Sequence, residues 1–122
     1  MAAHADLWGE IAPSAVRTPV SILREQAALL GVKTNHLVEG QVETQISGRT
    51  FYHSFNLVVP ALENYSYELF KIYHGVNIYP VHVGPQIDAL ANEEAFVTWL
   101  GQKLSSPETK RIIGNLLAQA NS

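Results

Sequence analysis

Residues 37–59, LVEGQVETQISGRTFYHSFNLVV, decide the fold. Val38, Val42 and Ile46 alternate against Leu37, Glu39, Gln41, Glu43 and Gln45. That period of two is the pattern of an antiparallel strand with one buried face. The return run sets Phe51, His53, Phe55, Leu57 and Val59 against Tyr52, Ser54 and Asn56. Between the runs, Ser47-Gly48 reads as a two-residue hairpin loop. It pairs Ile46 with Arg49, Thr44 with Phe51 and Val42 with His53, and both apolar rows fall on one side. It also sets Gly40 against Phe55, an aromatic ring over a glycine.

Downstream, Pro60 ends the second strand because it cannot donate to the ladder. A third strand is expected from about Tyr65 to Tyr73 and a fourth from about Asn77 to Val83, with a turn at His74-Gly75 or a longer loop from His74 to Asn77. Phe70, Ile72, Tyr79 and Val81 then face the core. Tyr65, Tyr67, Leu69, Lys71, Tyr73, Ile78 and His82 face outward. Glu68 fits this assignment poorly, since it lands on the core side.

Helices flank the strands. In TPVSILREQAALLG, Thr18 suits an N-cap, Pro19 the first helical position and Gly31 the residue past the end. Val20, Leu23, Ala27 and Leu30 recur at helical spacing. Asn92 caps EEAFVTWLGQKL, with Glu93 and Glu94 at the positive end of its dipole. Ser106-Pro107 starts the last helix, striped by Ile112, Ile113, Leu116 and Leu117. The expected fold class is therefore α+β: an N-terminal helix, a four-stranded antiparallel meander and two C-terminal helices packed on one sheet face. Residues 1–17 form an arm, which Trp8 and Ile11 are expected to anchor, and 18–122 form a single α+β domain.

Composition narrows the function. The 122 residues are 47% hydrophobic and only 16% charged, with a formal net charge of -3. A charged share well under the usual quarter implies a fairly neutral surface. The only adjacent basic pair is Lys110-Arg111, which argues against nucleic acid as a partner. The chain has no cysteine, which excludes disulfides, thiolate metal sites and cysteine nucleophiles. No secretory signal pattern opens the sequence, and its longest apolar run, LVVPAL, is too short for a membrane span, so a cytoplasmic location is expected. Asn64-Tyr65-Ser66 matches a glycosylation sequon, read as chance in that compartment.

Standard catalytic and nucleotide-binding motifs are missing, which favours a non-enzymatic reading and no cofactor. Histidines stand at 4, 36, 53, 74 and 82. No two share an element at metal-ligand spacing, so no metal is expected. His36 and His74 read as solvated loop residues. His53 points into the predicted core, with Thr44 nearby on the same face as a hydrogen-bond partner. His82 shares a face with Tyr67 and Lys71, a set able to do acid–base work, but only Asp88 offers a carboxylate to orient it. Glu39 and Glu43 read as part of a solvated polar face.

The tyrosines, at 52, 65, 67, 73 and 79, carry more weight. Tyrosine is enriched at interfaces because its ring is rigid and its hydroxyl tolerates water. The outward set Tyr65, Tyr67, Leu69, Lys71, Tyr73, Ile78 and His82 is the expected partner-binding surface. In size, acidity and lack of cysteine the chain resembles small bacterial immunity, chaperone or inhibitor proteins, a likeness of type rather than of motif. The leading reading is a non-enzymatic protein-binding module, its partner another protein or a second copy in a homodimer. The alternative is a ligand-binding or enzymatic domain whose sheet–helix pocket is lined by His53 and Tyr79.

Overall fold

A computed structural model describes residues 5–122; His4 and the rest of residues 1–4 of the expected arm lie outside the described residues. The described residues form α1 (Pro19–Lys33), β1 (Glu39–Ser47), β2 (Thr50–Val59), a 3₁₀ turn (Pro60–Leu62), β3 (Tyr65–His74), α2 (Glu93–Leu104) and α3 (Pro107–Ala120). The class is mixed α+β, with an antiparallel sheet ordered β1-β2-β3.

Each helix begins as its capping residue dictates. Thr18 accepts from the Ser21 amide, Asn92 from Ala95 and Ser106 from Thr109. Each satisfies a first-turn donor that has no partner inside its helix. The end of α1 differs from expectation. Gly31 lies inside the helix, and the chain turns at Asn35 and His36, both in the left-handed region at φ 52° and 63°. A Cβ at Gly31 would meet only the ends of the Glu39 and His36 side chains, which can move aside.

The β1–β2 hairpin forms with its loop one residue later than expected. Ser47 pairs with Thr50 around Gly48-Arg49. Gly48 has φ 59°, which glycine adopts without steric cost at this tight turn. Thr44 therefore opposes His53, Val42 opposes Phe55 and Gly40 opposes Leu57. Sliding a two-residue loop by one position shifts each pairing by two, an even number, so the faces survive. Gly40 lies under α1 rather than against Phe55. A Cβ there would stand 2.6 Å from the Ala27 Cα, so glycine is what lets α1 settle on the sheet.

The expected fourth strand does not form. After β3, residue pairs Tyr73–His82 and Val81–Leu90 make isolated bridges, and no further strand follows among the described residues. Tyr73 and His82 exchange both backbone bonds, at 2.9 and 2.8 Å. Neither a turn at His74-Gly75 nor a loop from His74 to Asn77 closes a ladder with β3. The reason lies in two residues. Pro80 has no N–H to give a ladder, and Ile78 sits at φ 74°, outside the β region.

A bulge in β3 corrects the face assignment. Phe55 opposes Phe70 but Asn56 opposes Glu68, which leaves Leu69 as the extra residue. Beyond it the faces exchange. Glu68 and Ser66 turn to the open side, while Tyr67 and Tyr65 lie opposite Leu57 and Val59.

The core sits between the sheet and the helices. Leu23, Val38, Leu57, Val59, Ile72, Val81 and Phe96 are fully buried. Trp99 of α2 meets Phe70 edge-on at 5.2 Å, so α2 covers the same side as α1. The arm departs from expectation as well. Trp8 and Ile11 are 81% and 73% exposed, and the attachment falls to Arg17. Its guanidinium pairs with Glu25 at 2.6 Å and its carbonyl accepts from the Tyr79 hydroxyl at 3.0 Å.

Candidate functional site

Two ring clusters lie back to back across β2 and β3. The first faces the helices at one end of the sheet. Alternation turns Phe51 and His53 inward, and the β2–β3 register sets His74 opposite Phe51 and Ile72 opposite His53. Phe51 stacks on His74 with centroids 5.4 Å apart, and the His74 and His53 rings meet tilted by 31° at 5.0 Å. His53 and His74 are 3% and 7% exposed, and their Nε2 atoms are 2.9 Å apart.

One carbonyl fixes the protons of this pair in its neutral form. His74 Nδ1 lies 2.7 Å from the Gly75 carbonyl, which can only accept, so His74 carries its proton on Nδ1. Its Nε2 is then an acceptor, and His53 Nε2 must donate to it. His53 Nδ1 in turn accepts from the Thr44 hydroxyl at 2.9 Å. Burial, then the neighbouring His74, then Arg24 lower the His53 pKa from 6.5 to about 4. His53 is therefore neutral at pH 7, consistent with this relay. No buried side-chain N or O among the described residues lacks a partner.

A hollow of about 380 Å³ reaches this pair, walled by Arg24, Ile46, Phe51, Val76 and Ile78. Ile78, expected on the outer face, lines it instead. Tyr79, expected to line a pocket with His53, lies elsewhere and spans to Arg17. Burial, with Glu93 adding and Arg17 opposing, raises the Tyr79 hydroxyl pKa.

The second cluster faces away from the helices. Tyr52 and Tyr73 are cross-strand partners with rings 5.6 Å apart, and Tyr73 stacks on His82 at 4.9 Å and 15°. A shallow concavity of about 550 Å³ adjoins them, lined by Glu43, Gln45, Tyr52, Ser54, Glu68 and Lys71 among others. Glu68 and Lys71 lie 3.7 Å apart.

Of the residues expected on the outer face, Lys71, Tyr73 and His82 share the open side. Tyr65 and Tyr67 are exposed but belong to the helix side of β3, and Leu69 packs half-buried against the core. Tyr52 and His74 were not expected in any site. Tyr52 was legible from alternation alone, since it opposes the inward Phe51 and His53. His74 was hidden by placing the turn at the end of β3. Among the described residues, no group of three or more His, Asp and Glu could hold a metal ion, and no helix is long and apolar enough to cross a membrane. Comparison with protein-family models, with curated protein sequences and with solved structures finds no match to this chain.

Proposed function

We propose that this chain is a non-enzymatic module that binds another protein through the open face of its sheet. The observation that carries the reading is the Tyr52–Tyr73–His82 row, three rings side by side on a face that no helix among the described residues covers. Aligned rings present rigid contact area with polar edges, which loses little conformational entropy on binding. The surrounding Glu43, Gln45, Ser54, Glu68 and Lys71 supply donors and acceptors for a polar rim. The partner is a foreign protein or a second copy.

Site-specific photocrosslinking tests this directly. A benzophenone amino acid is placed at Tyr73, and at Val97 on the exposed face of α2 as control. A discrete adduct in the native host from position 73 alone is expected, and an adduct of twice the chain mass identifies a second copy. No adduct, or one shared by both positions, overturns the reading.

The hollow at His53 and His74 supports a second reading, capture of a small apolar acid whose carboxylate meets Arg24. Titration with hexanoate, followed by the imidazole NMR signals of His53 and His74, tests it. Signals that do not move at saturating hexanoate overturn it.

A further inference from the structure

The arm before α1 carries Leu7, Trp8 and Ile11, which are 89%, 81% and 73% exposed. Three large apolar side chains within five positions, all facing solvent, are unusual for a chain that acts alone. Among the described residues, their one hydrogen bond to a side chain is local, from the Trp8 amide to Asp6 at 2.9 Å. The arm also carries two acids, Asp6 and Glu10.

On the helix side, a groove of about 510 Å³ opens between α1 and the α2–α3 pair. Leu29, Leu69, Leu104 and Ile113 line it, and Lys33 and Lys110 stand in its wall. Among the described residues neither lysine takes part in an ion pair. Arm and groove are complementary twice over: apolar rings and branches meet an apolar lining, and two acids meet two ammonium groups.

We infer that the arm of one chain lies in the groove of a second, in reciprocal exchange. Within the single chain both surfaces stay open, although the arm is long enough to reach outward: thirteen extended residues, 5–17, span roughly 40 Å. Arg17, clamped by Glu25 and Tyr79, fixes the point from which the arm departs. Exchange buries Leu7, Trp8 and Ile11 twice, once per arm. That removes on the order of 1,000 Å² of apolar arm surface before the groove is counted, in the range of a specific interface. A two-fold axis closes the pair, so no open-ended chain of molecules results. This inference rests on surfaces separate from the open sheet face.

Sedimentation equilibrium of the full chain tests it. The wild type is expected to dimerise. Trp8→Glu should weaken dimerisation at least about 30-fold with the far-UV circular dichroism unchanged, as for a central aromatic anchor. Lys33→Glu/Lys110→Glu and Asp6→Lys/Glu10→Lys should each be monomeric alone and should dimerise when mixed, since both arm–groove contacts are then again of opposite charge. Tyr73→Glu should leave the dimer intact, which keeps this result separate from the fate of the sheet-face reading. A monomeric wild type, a dimer indifferent to Trp8→Glu, or a mixture that stays monomeric overturns the inference. In the last case, burial of Trp8 in a single chain carrying all four charge reversals would reassign the groove to the chain's own arm.

Discussion

Residues 51 to 53 and 73 to 74 are adjacent in the chain, yet their rings end in opposite environments. Phe51, His53 and His74 are packed under the helices, and Tyr52 and Tyr73 join His82 on the open face. The same residue types thus do different work one position apart. Inside, each imidazole nitrogen has a partner and burial disfavours charge on His53. Outside, the rings support one another while their edges remain available. Burial, more than residue type, separates a structural histidine from an available one.

The sharpest way to break this comparison is pH. The His53 pKa falls from 6.5 unfolded to about 4 folded. Between those values the unfolded chain binds a proton that the folded chain does not. Stability from this group is therefore full above about pH 6.5 and is lost as pH falls toward 4. A shift of this size amounts to about 3 kcal/mol. Urea unfolding at stepped pH should show that decline, and His53→Gln should flatten it while lowering stability at pH 7. An unchanged slope in the variant would assign the acid sensitivity elsewhere. His74 on β3 and Arg24 on α1 are the groups that face His53 and oppose its charging.

Next in size is the loss of one member of the buried pair. His74→Leu leaves His53 Nε2–H without its acceptor in the interior. That should cost about 2 kcal/mol, read as a lower urea midpoint at unchanged slope. The matching change on the open face, Tyr73→Ala, should cost less than about 1 kcal/mol, because it removes one partly solvated ring and leaves no buried group unpaired. Equal costs for the two would erase the distinction between the clusters. A Tyr73→Ala chain that folds normally but leaves no photocrosslinked adduct from position 52 would sharpen it.

Much of this contrast was legible in the sequence, and the rest failed for identifiable reasons. Alternation placed His53 inward beside Thr44 and Tyr52 outward, because a period of two survives an even slip in register. The helix starts at Thr18, Asn92 and Ser106 were readable because capping is local chemistry. The fourth strand was over-read. Pro80 stood inside it, and aromatic and β-branched content outweighed the donor that proline lacks. The β3 bulge announced itself through Glu68 on a core face and Leu69 on an outer one, yet a bulge is a tertiary solution that period-two reading cannot supply. That single extra residue moved Tyr65 and Tyr67 off the open face. The arm hid its character for a similar reason: Trp8 and Ile11 look like anchors until the body they would anchor to is known.

The finest test carries no energy and concerns protons alone. The Gly75 carbonyl forces His74 into the Nδ1–H tautomer, and the 2.9 Å contact between the two Nε2 atoms then forces His53 into the Nε2–H tautomer. Opposite tautomers in the neutral form of the pair are a specific signature, since the Nε2–H form commonly prevails for free neutral imidazole. Long-range ¹H–¹⁵N correlation at pH 7 distinguishes the two forms by the order of their nitrogen shifts. Thr44→Val removes only the donor to His53 Nδ1 and leaves the Nε2 contact in place, so both tautomers should persist while the His53 Nδ1 shift moves. If His74 instead proved to be the Nε2–H form, the carbonyl contact could not be the element that orders the pair. The helix-side cluster would then be held by stacking on Phe51, much as the open-side cluster is held by stacking on Tyr73.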